Sequence, residues 1–187
     1  MTEGRKVVAV VGMAGAGKSE VARVLEEEGF IRVRFGDITD EEIRRRGLQL
    51  NEENERRVRE ELRREHGMSA YARLNLPRIE AARQKSDVVL DGLYSWEEYT
   101  FFRDYYGGDF STVAVWASPR TRYARLGGRA YRPLTREEAE SRDRVELERL
   151  NKGGPIAMAD FTVVNESSRE DLKRKVGEII PALREKN

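Results

Sequence analysis

The run Gly12-Met13-Ala14-Gly15-Ala16-Gly17-Lys18-Ser19 constrains this chain more than any other feature, because it fits GxxxxGK[ST] and stands between two patterned segments. Lys6 to Val11 is a nearly unbroken apolar run, the mark of a parallel strand buried on both faces. From Lys18 to Glu28 the apolar residues Val21, Ala22, Val24 and Leu25 recur at helical spacing, and Gly29 offers a stop. Strand, glycine-rich turn and helix in that order build an anion cradle. The glycines let backbone N–H groups point inward, and the helix N-terminus adds partial positive charge. Lys18 is placed to bridge the β- and γ-phosphates of a nucleotide, and Ser19 to offer its hydroxyl to Mg²⁺. The alternative, a strand-to-helix turn with no ligand, is disfavoured by the full motif in this context. Glu20, next along the helix, completes the nucleotide-binding set Gly12, Met13, Ala14, Gly15, Ala16, Gly17, Lys18 and Ser19.

The remaining elements alternate. Ile31 to Phe35 reads as a second strand, Asp87 to Asp91 as a third, Ser111 to Ala117 as a fourth and Phe161 to Val164 as the last, with helices over Ser95 to Tyr106 and Ser168 to Leu183. Such alternation predicts a three-layer αβα fold with a five-stranded parallel sheet. With 187 residues the chain fits one domain, its core drawn from 1–40, 86–120 and 155–187. The charged, helical stretch of about 41–85, with weak apolar faces at Val58, Leu62, Leu74 and Ile79, is expected to be an acceptor-binding lobe. The arginine-rich stretch of about 121–154 is expected to be a lid.

Composition narrows the function classes. Thirty-five basic residues against thirty-four acidic ones leave a formal charge of +1, which points to a solvated surface and not to a nucleic-acid-binding face. The absence of cysteine excludes disulfides, cysteine-based zinc sites and thiol nucleophiles. With no secretory pattern and no long apolar stretch, a cytoplasmic protein without membrane contact is expected, its partner a small nucleotide or nucleotide-like acceptor.

Two carboxylates fall where ligands collect in open α/β sheets, at the carboxyl ends of strands. Asp91 ends Val88-Val89-Leu90 and suits Mg²⁺, with a turn cap beside Gly92 as its other use. Asp37 follows the second strand, and its other use is to cap a helix beginning near Glu41. His66, the single histidine, precedes Gly67 near a helix end and reads as a capping or solvent-facing residue.

On these residues the chain resembles the P-loop small-molecule kinases, above all nucleoside monophosphate kinases and dephospho-coenzyme A kinases. The subtype GxxGxGK[ST] is carried by Gly12, Gly15, Gly17, Lys18 and Ser19; Gly36-Asp37 and Leu90-Asp91-Gly92 match the pairs that follow their second and third strands. Arg125-Leu126-Gly127-Gly128-Arg129 is similar to the opening of their lid. The segments ASPRTRYARL and AMADFTVVNESS and the pair Arg142-Asp143 resemble a mainly archaeal family described as adenylate-kinase-related. The resemblance implies ATP as phosphoryl donor with Mg²⁺, Lys18, Asp37 and Arg129 as catalytic residues, Arg125 near the base, and Arg132, Arg136 or Arg142 joining as the lid shuts. It also places the adenine against the loop Asn165 to Ser168.

Departures open a second reading. Asp40 stands where such enzymes carry an acceptor-gripping arginine, and Leu93-Tyr94-Ser95 follows Gly92 without another. Arg44, Arg73, Arg78 and Arg142, with Asp37 and Tyr94, are then the acceptor-binding candidates, and Tyr71 and Leu74 offer apolar contact. If the acceptor presents a hydroxyl, Asp37 would serve as the base, as the resemblance to dephospho-coenzyme A kinases implies. A nucleotide-binding regulator without turnover is the reading from another class. A switch GTPase is disfavoured, since Asn151-Lys152 is followed by Gly153-Gly154 and not by an aspartate.

Overall fold

The computed structural model describes residues 4–130 and 133–185. At its centre lies β1 (Val7–Val11), all five residues of which are fully buried. A strand covered on both faces needs no polar alternation, and the branched valines suit the pleated surface. On one side β1 pairs with β3 (Val88–Asp91), which pairs with β2 (Ile31–Arg34); on the other it pairs with β4 (Phe110–Trp116), which pairs with β5 (Phe161–Val164). The order is β2-β3-β1-β4-β5, every pair parallel, so the expected five-stranded parallel sheet between helical layers is what the chain forms.

The period of two in β1 divides the core. Val7, Ala9 and Val11 pack with Phe35, Tyr71, Ile79 and Phe102 on one face; Val8 and Val10 pack with Val21, Leu25, Leu172, Val176 and Ile180 on the other. The second face is covered by α1 (Lys18–Glu27) and α9 (Arg169–Arg184). Each fully buried valine or leucine contributes about 1.5–3 kcal/mol, so both layers are held mainly by this burial.

The stretch expected as a lobe divides in two. Here α2 (Asp37–Arg45), which begins at Asp37 and not near Glu41, packs against α3 (Glu52–His66). By contrast α4 (Ala70–Arg83) lies on β2 and β3 and puts Ala70, Tyr71, Ala72, Ile79 and Ala82 into the core. It is therefore the crossover helix that a parallel β2 to β3 connection requires. Its face is weakly patterned because Arg73, Pro77 and Arg78 interrupt the apolar spacing.

Beyond β3, α5 (Trp96–Tyr106) opens with a capping box: Ser95 Oγ accepts from the Glu98 amide at 3.1 Å, and Glu98 accepts from the Ser95 amide at 3.4 Å. Three helices follow β4: α6 (Pro119–Gly127), α7 (Arg136–Glu148) and α8 (Gly153–Ala157). Leu126 of α6 and Ala139 of α7 close on Ala14, so this segment is packed over the glycine-rich turn. Among the described residues no helix is long and apolar enough to cross a membrane.

Candidate functional site

The turn from Gly12 to Ser19 runs from the end of β1 into α1, where its shape is enforced by crowding. Gly15 has φ +80°, and a Cβ there would lie 2.7 Å from the Arg122 carbonyl oxygen. Gly17 has φ +104°, and a Cβ there would collide with the Asn165 amide nitrogen. Only glycine satisfies both demands. Lys18 Nζ donates to the Met13 carbonyl at 3.0 Å and closes the loop across its mouth.

Lys18 is not an ordinary lysine. Burial, and then the neighbouring ammonium of Lys152, lower its pKa from 10.5 to about 7. Lys152, between α7 and α8, is itself buried: its Nζ donates to Glu146 Oε2 at 2.7 Å and lies 5.2 Å from the Tyr94 ring centroid. Arg142 Nε donates to the other oxygen of Glu146 at 3.2 Å. Burial alone would raise the Glu146 carboxyl, but Lys152, Arg142 and Lys18 hold it down at about 2. The same burial lowers the pKa of Lys152, against the pull of Glu146. The site thus holds more positive charge than it neutralises, which favours a polyanion. Lys152 entered the sequence reading only through the Asn151-Lys152 dipeptide, and Glu146 not at all. The available signal was compositional: Lys152 is one of seven lysines in a chain rich in arginine.

Beside Lys18 a cleft of about 350 Å³ is lined by Ser19, Arg32, Arg34, Gly36, Asp91 and Tyr94. Ser19 and Asp91 therefore open on one space. A hydroxyl and a carboxylate fit a hard, oxygen-preferring cation such as Mg²⁺. Among the described residues no group of three or more His, Cys, Asp and Glu side chains is arranged around a metal, so such an ion would complete its shell with phosphate oxygens and water. Neither carboxylate is bare: Arg32 donates to Asp91 through Nε at 3.2 Å and through Nη2, and Arg34 lies 3.3 Å from Asp37. Tyr94 folds back so that a Cβ on Gly92 would lie 3.0 Å from its hydroxyl. Its pKa is pushed up to about 12 by burial and then by Asp91 and Glu98, so it stays a neutral donor.

Arg125 and Asn165 meet behind the cradle. The Asn165 amide donates to the Ala16 carbonyl at 2.8 Å and its oxygen accepts from Arg125 at 3.4 Å. Both side chains therefore reach the glycine-rich turn at Ala16. Arg129 is exposed, with its pKa lowered by partial desolvation and then by Arg142, so two guanidinium groups face the same region. Arg136 is turned outward to Glu140 at 2.9 Å, and Arg132 lies outside the described residues. The segment's strongest anchor is Arg122, which nothing in the local pattern distinguishes from its neighbours. It donates to Asp143 at 2.8 and 2.6 Å and to the Ala14 carbonyl of the cradle at 3.1 Å.

Other expected residues are placed elsewhere. Arg73 donates to Ser69 at 3.0 Å and sits over Phe101, and Arg78 is paired with Glu41, tying α4 to α2. Arg44 is exposed in the last turn of α2. The Glu20 side chain is engaged by Arg23 at 3.1 Å and by Arg169 of α9 at 2.6 Å. His66 is partly exposed beside Glu65, 3.8 Å away, at the end of α3.

Comparison with known proteins bears on the fold and the family. The model described as an AAA domain matches residues 8–151. A UPF0200 protein of Thermococcus kodakarensis is 42% identical over 185 residues, covering 95% of this chain and 100% of that protein. Among solved structures, a gluconokinase from Sinorhizobium meliloti superposes with a TM-score of 0.60 at 16% identity, covering 96% of this chain and 93% of its own. A shikimate kinase from Acinetobacter baumannii, in complex with shikimate, gives 0.57 at 19% identity, covering 95% of this chain and 94% of its own. At such low identity these two speak for the fold alone. An AAA domain over most of its length and a full-length relative at this identity place the chain: it belongs to the UPF0200 family, built on the P-loop fold.

Proposed function

We propose that the chain is a P-loop kinase that moves the γ-phosphoryl group of ATP, with Mg²⁺, to a small nucleotide-like acceptor. The observation that carries this reading is that the Ser19 hydroxyl and the Asp91 carboxylate open on one cleft where the glycine cradle ends, next in the chain to Lys18, whose pKa is lowered to about 7. Phosphoryl transfer asks little covalent chemistry of a protein and much positioning and charge neutralisation. An acceptor oxygen attacks the γ-phosphorus, the bond from that phosphorus to the β-bridging oxygen breaks, and ADP leaves. Lys18 meets the charge on the β- and γ-phosphates. Ser19 and Asp91 would hold Mg²⁺, which supplies further charge neutralisation at the same oxygens. Arg129 and Arg142 approach from the segment after β4, and Arg125 with Asn165 borders the base.

Where the acceptor is a hydroxyl, its proton goes to Asp37. Asp37 follows Gly36, which lines the cleft, and is 40% exposed at the start of α2, open to an acceptor. The fold is also that of a gluconokinase and a shikimate kinase, so hydroxyl acceptors belong in the same screen.

The test is coupled ADP release from Mg²⁺-ATP against nucleoside monophosphates, dephospho-coenzyme A and small sugar acids, with Lys18→Ala alongside. Acceptor-dependent release that vanishes in the variant supports the kinase reading. Slow hydrolysis indifferent to every acceptor supports a nucleotide-binding regulator instead.

A further inference from the structure

Arg32 and Arg34 stand two positions apart on β2 with Val33 between them. Val33 packs into the core on the α4 side, so the alternation of the strand sends both arginines to the opposite face, where they line the cleft with Ser19. The register pairs Arg34 with Asp91, and the Arg32 guanidinium reaches along the strand to the same carboxylate. The shortest acidic contacts of the two arginines are therefore Arg32 to Asp91 and Arg34 to Asp37.

That balance changes on loading. A divalent cation at Ser19 and Asp91 would compete with Arg32 for one carboxylate, whose Oδ2 takes both Arg32 donors, and Arg32 is only 18% exposed, with Glu26 at 3.8 Å as its other acidic neighbour. Arg34 is 56% exposed, so its pair with Asp37 is weak and easily exchanged. Two guanidinium groups then face one cleft of about 350 Å³ with too little counter-charge. Planar guanidinium pairs suit phosphate and carboxylate groups, which they meet with two parallel hydrogen bonds.

We infer that Arg32 and Arg34 form the subsite for an anionic group of the acceptor, and that Arg32 joins it when Asp91 is engaged by the cation. The acceptor class is thereby a small molecule carrying a phosphate or carboxylate. This rests on the phosphate-site reading above. Asp91 has two alternate partners, so metal loading and acceptor binding become coupled through one carboxylate.

The test uses protein loaded with Mg²⁺ and a non-hydrolysable ATP analogue, which fills the cradle, and titrates inorganic phosphate or acetate by calorimetry. Loaded wild-type protein is expected to bind at least one of the two anions, which tells phosphate from carboxylate. Arg34→Met, at an exposed position that does not threaten folding, is expected to weaken that binding roughly tenfold or more while leaving analogue affinity within about twofold. Arg34→Lys should recover part of the loss. In a separate arm without nucleotide, Mn²⁺ binding is followed by its paramagnetic resonance signal. Arg32→Met, which frees Asp91, is expected to bind Mn²⁺ roughly tenfold more tightly than wild type. Anion binding unchanged by Arg34→Met, loaded protein indifferent to both anions, or equal Mn²⁺ affinity in Arg32→Met would overturn the inference. A wild-type protein that takes up no analogue would remove the kinase reading itself and this subsite with it.

Discussion

Arg122 grips Asp143 through both terminal nitrogens, at 2.8 and 2.6 Å, and the same guanidinium donates to the carbonyl of Ala14 at 3.1 Å. One buried ion pair thus fixes α6 to α7 and both to the phosphate cradle. Removing one partner of such a pair leaves the other charge stranded. Arg122→Met is expected to cost about 3–5 kcal/mol in urea unfolding, and Arg122→Met with Asp143→Leu less than that. Equal losses in the single and double variants would show that the charge pair is not what anchors the segment.

Lys18 sets a pH dependence. With its pKa lowered to about 7, the free site holds mostly neutral amine above that pH, whereas a bound triphosphate favours the ammonium form. Nucleotide binding at pH 8 should therefore take up close to one proton, and affinity should fall as pH rises from about 7 toward 10.5. For the nucleotide-free protein the sign is opposite: the unfolded chain holds the extra proton across that window, so stability rises with pH there. Calorimetry in buffers of different ionisation enthalpy measures the uptake directly, and an observed heat independent of buffer would contradict it.

Gly17 is a test of the cradle's shape. Gly17→Ala places a methyl at φ +104° against the Asn165 amide, which must then release the Ala16 carbonyl it holds at 2.8 Å. Nucleotide affinity is expected to drop roughly tenfold or more, from backbone strain of about 1–2 kcal/mol together with the displaced amide. Adding Asn165→Ala removes the collision but not the strain. Urea unfolding should consequently find the double variant more stable than Gly17→Ala alone, whereas nucleotide affinity, which also loses Asn165 beside the base, should not recover; equal stability would show that the collision is not what distorts the cradle.

Glu98 carries a stability cost. It is fully buried, one of its carboxylate oxygens has no hydrogen-bond partner among the described residues, and burial raises its pKa from 4.5 to about 7 despite the amides of Tyr94 and Ser95. A carboxyl with a raised folded pKa keeps its proton in the native state while the unfolded chain loses it, so stability falls as pH climbs from about 4.5 to about 7. The loss across that window is on the order of 3 kcal/mol. Glu98→Gln should flatten the urea midpoint between pH 5 and 7.5; a profile as steep as wild type would locate the dependence elsewhere.

What the sequence determined by itself is local. The apolar run of β1, the glycine spacing from Gly12 to Gly17 and the helical period of α1 each encode a conformation within a few residues, and the alternation of such segments specified a parallel sheet with helices on both faces. That Ser19 and Asp91 lie near one edge of the sheet was legible because one opens the helix that follows β1 and the other ends β3. Tertiary structure decided the rest. Arg32 is 59 residues from Asp91 and Arg122 is 108 from Ala14, and nothing in either neighbourhood names its partner. Those contacts exist because the order β2-β3-β1-β4-β5 sets β2 beside β3 and brings α6 over the cradle. The same holds for α4, whose interrupted apolar face read as a peripheral lobe until the β2 to β3 crossover required a helix on the sheet. Burial pattern tells a residue which way to face; only the assembled sheet determines what it meets there.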